Sequence, residues 1–153
     1  MLYARQLFVL ALLTFVGATV ADAQPNRNAQ PQTTIAASDA AEATTVRAGG
    51  ADRNSVSGSG CSGFIDDANP TAAVTFSGSG TFSIYATSSS DATILIGSPD
   101  GKWHCSDDAS GSNPGVSFAK APAGKYVVWV GVISPDAAGA SAQLFAHSGA
   151  PRW

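Results

Sequence analysis

Residues Ala92–Asp108 read ATILIGSPDGKWHCSDD. Pro99 has the fixed φ that suits the second position of a type I turn, and Gly101 follows where a positive φ is needed. Two short apolar runs, ATILIG and KWHC, therefore fold back on each other as a tight hairpin. Alternation along the second run puts Trp103 and Cys105 on one face and Lys102 and His104 on the other. Trp103 beside a bridged cysteine is a core arrangement, and His104 is expected to point with Lys102 toward solvent.

The same punctuation continues on both sides of the hairpin. Short apolar runs separated by Gly, Ser, Pro and Asp clusters mark an all-β sandwich or barrel. In AAVTF (Ala72–Phe76), Val74 and Phe76 share a face; in TFSIYAT (Thr81–Thr87), Phe82, Ile84 and Ala86 point inward while Ser83 and Tyr85 point outward. VSFA (Val116–Ala119), KYVVWVGV (Lys125–Val132) and ASAQLFAH (Ala140–His147) complete the stronger set. One or two weaker strands are expected between Thr44 and Gly60, making eight to nine. KYVVWVGV is apolar on both faces, with Tyr126, Val128, Val130 and Val132 in one stripe and Val127 and Trp129 in the other. A central strand covered on both sides has this pattern, and so does one whose outer stripe is a binding surface.

The N-terminus carries Arg5, an apolar run from Leu7 to Val20 and Ala21-Asp22-Ala23, the arrangement of a secretory signal peptide cleaved after Ala23. Residues 1–23 are read accordingly, and no later segment is apolar enough to span a bilayer as a helix. About 130 residues then remain, enough for one domain. Residues 24–43, rich in Gln, Pro, Asn, Ala and Thr, are expected to form a linker or disordered tail, with a helical turn at Ser38–Ala43 as the alternative. The sandwich is expected over 44–148, followed by a C-terminal end, 149–153, in which Trp153 is expected to be disordered.

Charged residues are 12% of the chain and the formal net charge is −3. Without a Lys/Arg cluster, nucleic acid and anionic membranes are excluded as obvious partners. The chain has two cysteines, Cys61 and Cys105. In an oxidising compartment an even, minimal count reads as one disulfide, because the close-spaced ligands of a zinc site are missing.

The stretch Asp91–Val132, with D-x-T-x-L, P-D-G-x-W-x-C-x-D-D, N-P and G-x-Y-x-V-W-V-G, resembles the bacterial pre-peptidase C-terminal domain in its secreted stand-alone form. The resemblance covers roughly Ala43–Ser148. It implies a jelly-roll-like antiparallel β-sandwich in a secreted or periplasmic protein, a non-catalytic role in attachment to a protein or polysaccharide, and in some relatives calcium at acidic loops. The alternatives are a structural envelope protein without a ligand, or an accessory domain of a secreted peptidase whose catalytic part is elsewhere.

Several residues are candidates for chemistry. No serine lies in a G-x-S-x-G setting, and His104 and His147 sit in strand-like runs, so hydrolysis is not expected. Asp66, Asp67, Asp107 and Asp108 form two acidic pairs that a Cys61–Cys105 bridge would draw together as a calcium site. The other reading makes them turn formers that accept local N–H groups. Asp91 is expected to cap the start of a strand through its side chain, with a third calcium ligand as the remoter alternative. Tyr85 and Trp129 are the candidates for sugar stacking if their faces are exposed.

Overall fold

A computed structural model describes residues 24–56 and 62–153. The expectations for the signal segment, and for the Cys61 half of the disulfide, lie outside these residues. Among the described residues there are eleven strands, numbered in chain order: β1 (Thr33–Ala36), β2 (Ala43–Ala48), β3 (Asp52–Arg53), β4 (Phe64–Ile65), β5 (Ala72–Phe76), β6 (Phe82–Ser88), β7 (Ala92–Gly97), β8 (Trp103–Ser106), β9 (Gly115–Phe118), β10 (Gly124–Val132) and β11 (Ala140–His147). The expected all-β architecture is present, as two sheets.

The seven-stranded sheet is organised by β10. On one side β5 runs antiparallel to it from Gly124↔Phe76 to Val128↔Ala72. On the other, β7 pairs from Val127↔Gly97 to Val132↔Ala92. β8 closes the hairpin read from the sequence, and Gly101 at its corner has φ 84°. Beyond β5, β4 takes up the same side of β10 at Val132↔Phe64. The intervening loop would leave Val130 unpaired there. Its N–H instead donates to buried Thr71 Oγ1 at 2.9 Å, and its carbonyl accepts from Gly49 N–H at 2.9 Å. No ladder group is stranded at the break.

The four-stranded sheet runs β2-β11-β6-β9, antiparallel throughout. The two sheets face each other across one apolar core, in which Val46, Ile84, Ala86 and Leu144 of the smaller sheet meet Val74, Ile94, Tyr126, Val128 and Val130 of the larger. Phe82 joins them, stacked on Phe76 at 4.5 Å and edge-on to Tyr126 at 5.1 Å. The inward stripes are those read from the alternation. Each fully buried Val, Leu, Ile or Phe among them contributes about 1.5–3 kcal/mol.

The second stripe of β10 is buried too, in a separate cluster on the outside of the larger sheet. Val56, Ile65, Leu95, Val127 and Trp129 are packed there under Trp103 and Cys105. Trp103 lies 5.6 Å from Trp129, and the Arg27 guanidinium sits 3.7 Å over the Trp103 ring. The same guanidinium donates to Ser98 O at 3.3 Å and Lys102 O at 2.8 Å. Gln24 Oε1 accepts from Trp103 Nε1 at 3.2 Å. Gly97 is required beneath this clasp, since a Cβ there would approach Arg27 Nε to 2.9 Å.

Residues 24–43 therefore depart from the expected disordered linker. Arg27 and Gln24 fasten their beginning, and β1 pairs with the edge of β5 from Thr33↔Ala72 to Ala36↔Thr75. This pairing is parallel, an exception to the expected antiparallel arrangement. Backbone bonds supplied by β5 compensate for the scarcity of apolar side chains. Ser38 bridges to His147 instead of opening a helical turn.

Candidate functional site

Three places gather polar or aromatic groups. The first is the hairpin end. Ser98 Oγ lies 2.5 Å from Asp100 Oδ1 and 3.0 Å from His104 Nε2. Oγ has one proton and the short contact gives it to the carboxylate, so His104 Nε2 is the donor in the second bond. Asp100 also pairs with Lys102 at 2.9 Å. The Ser98 hydrogen bond and then Lys102 hold the Asp100 carboxyl well below the usual carboxylate range, while Lys102 is raised by the hydrogen bond and charge of Asp100.

His104 is half-buried against Phe118, ring centroids 4.9 Å apart, and burial lowers its pKa. It does not extend into solvent beside Lys102 as expected. A recess of 200 Å³ borders this group, between the hairpin and Phe118, Lys120 and Pro122. The order of bonds differs from that of an activated serine, where the histidine accepts the hydroxyl proton and the acid orients the histidine. Here serine, histidine and aspartate close a turn.

The second place is the acidic loop after β4. Asp66 accepts from Asn69 N–H at 3.0 Å and from Asn69 Nδ2, and Asp52 Oδ2 accepts from Asp67 N–H at 3.1 Å. These are the local acceptor roles of turn residues. Burial raises the Asp67 pKa, with Asp52 and then Asp66 adding repulsion. Asp107 and Asp108 stand just after β8, the first half-buried and the second exposed. Among the described residues no cluster of three or more His, Cys, Asp or Glu is arranged to hold a metal ion. The exposed Asp91 works through its backbone, its carbonyl accepting from Ile133 N–H at 3.0 Å. Among the described residues no side-chain cap accompanies it. No cysteine among the described residues is free.

The third place is the outer face of the four-stranded sheet. Tyr85 and Trp129 are both fully buried, so neither is an exposed stacking surface. Trp129 lies on the other sheet, under Trp103. Tyr85 does face outward, but Phe145 stacks on it at 4.8 Å and Trp153 meets it edge-on at 5.0 Å. Alternation correctly orients Tyr85; the cover comes from the chain's last residues. Ser83 Oγ donates to Gly149 O at 2.6 Å, His147 Nδ1 to Ala150 O at 2.8 Å and Tyr85 OH to Arg152 O at 3.3 Å. Trp153, expected in a disordered end, is seated there and remains 50% exposed, the one exposed large hydrophobic side chain among the described residues.

Beyond Trp153 the face stays open. Two recesses adjoin at Ser141: one of 350 Å³ lies on this face, bordered by Thr87, Asn113 and Gln143, and one of 390 Å³ wraps the β2 edge toward the larger sheet, bordered by Thr33, Thr45, Val46, Arg47 and Thr71. Gln143 and Thr45 face each other across the strand pair, Gln143 Nε2 donating to Thr45 Oγ1 at 3.0 Å. Sequence reasoning missed these residues. Their signal was the outward parity of Ser141 and Gln143 within ASAQLFAH.

Neither family models, nor curated proteins, nor solved structures give a match to the chain.

Proposed function

We propose that this protein is an exported, non-catalytic attachment module that binds an extracellular or periplasmic polymer, protein or polysaccharide, through the outer face of its smaller sheet. One observation carries the reading: an open strip of hydroxyl and carboxamide side chains runs beside a seated, half-exposed tryptophan. Binding sites on rigid sheets combine a few fixed polar groups with an aromatic surface in this way. The signal-peptide pattern supports export. The motif resemblance supports a jelly-roll-like sandwich of the pre-peptidase C-terminal type, and a Cys61–Cys105 bridge accords with a Cys105 that is not a free thiol.

The internal bonding of the Ser98–Asp100–His104 turn supports the non-catalytic part, because its serine proton is already held by a carboxylate. Sedimentation of the purified protein with insoluble polysaccharides and with collagen fibres tests the reading. Retention on at least one polymer, without release of soluble fragments, is expected. Failure to sediment with any of them contradicts attachment, and fragment release contradicts the non-catalytic role.

A further inference from the structure

We infer that the open half of this outer face is a site for a neutral oligosaccharide chain, with Trp153 as its stacking platform; this rests on the attachment reading and names its ligand class. The register sets the layout. Across β2, β11 and β6 one outward row is Ala43, Phe145 and Tyr85, and the next is Thr45, Gln143 and Thr87. The first row lies under the Arg152–Trp153 segment. The second is about 7 Å further along the strands and borders both recesses.

Side-chain chemistry then chooses the ligand. Neither recess has an Asp, Glu or Lys in its lining. Arg47, the one charged group, donates to Gly139 O at 2.9 Å. An anionic polymer would find Arg47 as the single cation in the two linings. A protein partner would want apolar pockets for anchor residues, and the recess at Thr87, Asn113 and Gln143 offers hydroxyls and carboxamides instead. Such groups both donate and accept, as sugar hydroxyls do. Asn113 Oδ1 accepts from Ser88 N–H at 3.1 Å, which fixes the carboxamide at the rim of the recess.

The indole is held in place to serve as a platform. Tyr85 meets it in a T-shaped contact at 5.0 Å, and Gly115 makes room for it, since a Cβ at that position would come within 2.8 Å of the Trp153 ring. A half-exposed ring fixed from below presents its apolar surface without further loss of side-chain freedom.

Affinity electrophoresis of the purified protein tests the inference, in gels containing hydroxyethylcellulose, soluble starch, xylan, a soluble β-1,3-glucan, polygalacturonate or gelatin. Retardation by at least one neutral polysaccharide is expected, with Trp153→Ala and the Thr87→Ala/Gln143→Ala pair each weakening binding about tenfold and Lys120→Ala leaving it unchanged. Circular dichroism and a retained Tm establish that the variants are folded. Retardation that survives both variants places the site elsewhere and overturns the inference. Binding to gelatin or polygalacturonate alone overturns the neutral-sugar assignment while leaving attachment standing; no retardation in any gel overturns the inference and counts against attachment as well.

Discussion

Replacing Arg27 by alanine should destabilise the protein although the residue precedes every strand. The guanidinium makes one good charge-assisted bond, 2.8 Å to Lys102 O, a longer one of 3.3 Å to Ser98 O, and a face contact 3.7 Å from the Trp103 centroid. A hydrogen bond from a charged donor contributes about 1.5–3 kcal/mol, and the exposed setting of the shorter bond argues for the low end. The cation–π contact adds about 0.5–1 kcal/mol. Ordering the long side chain costs about 1–2 kcal/mol, and partial burial, which lowers the Arg27 pKa against the pull of Asp100, takes a further share of the gain. The balance is a loss of about 1 kcal/mol, equivalent to roughly 3–5 °C in Tm for a domain of this size. Urea unfolding of wild type and Arg27→Ala measures it. Arg27→Lys should recover less than half, because an ammonium cannot reach both carbonyls as a planar fork does. A change below about 0.3 kcal/mol, within the scatter of ordinary surface substitutions, would refute the reasoning.

Further outcomes follow from the titrating groups and the cysteines. Burial depresses the His104 pKa, with Asp100 opposing and Lys102 and Arg27 adding to the depression. The unfolded chain then takes up the proton first, so the stabilisation is complete above about pH 6.5 and is lost as pH falls through the folded value; Tm should decline from pH 7 to 5, and His104→Gln should flatten that decline. Asp67 is shifted the opposite way, upward through burial and the charges of Asp52 and Asp66. Its ionisation opposes folding at neutral pH, so Asp67→Asn should raise Tm at pH 7, and the gain should vanish below about pH 4. A Cys61–Cys105 bridge closes a loop of about 45 residues and should contribute roughly 4 kcal/mol. Thiol titration of unfolded, unreduced protein should find no free thiol and reduction should lower the urea midpoint; two titratable thiols would contradict the bridge.

How much of this was legible in the sequence depended on where each residue's partner lies. Pro99 and Gly101 specify their turn locally, so the hairpin could be read directly, whereas the double stripe of β10 fits a covered central strand and a binding surface alike until Trp103, Val56 and Ile65 are seen packed on it. β1 could not be read: Thr33–Ala36 has only Ile35 as a large apolar residue, and its order comes from backbone pairing with β5. The same limit applies at the candidate site. Alternation sends Tyr85 and Trp129 away from the main core, as found, but their covers are Trp153 and Trp103, brought there by folding. Trp153 at the terminus is expected to be a disordered end, yet three carbonyl acceptors hold the segment leading to it across the sheet. Thr45, Thr87 and Gln143 are individually unremarked strand residues and form a strip only in the register of three strands.

The proposed attachment face is tested most directly by amide and indole chemical-shift mapping of the protein with a soluble form of the polymer that retains it. Shifts should concentrate on Thr45, Thr87, Asn113, Gln143 and the Trp153 indole, with the hairpin residues Ser98–His104 unmoved. Shifts centred on the hairpin recess, or spread over the seven-stranded sheet with none at Gln143 and Trp153, would contradict the account.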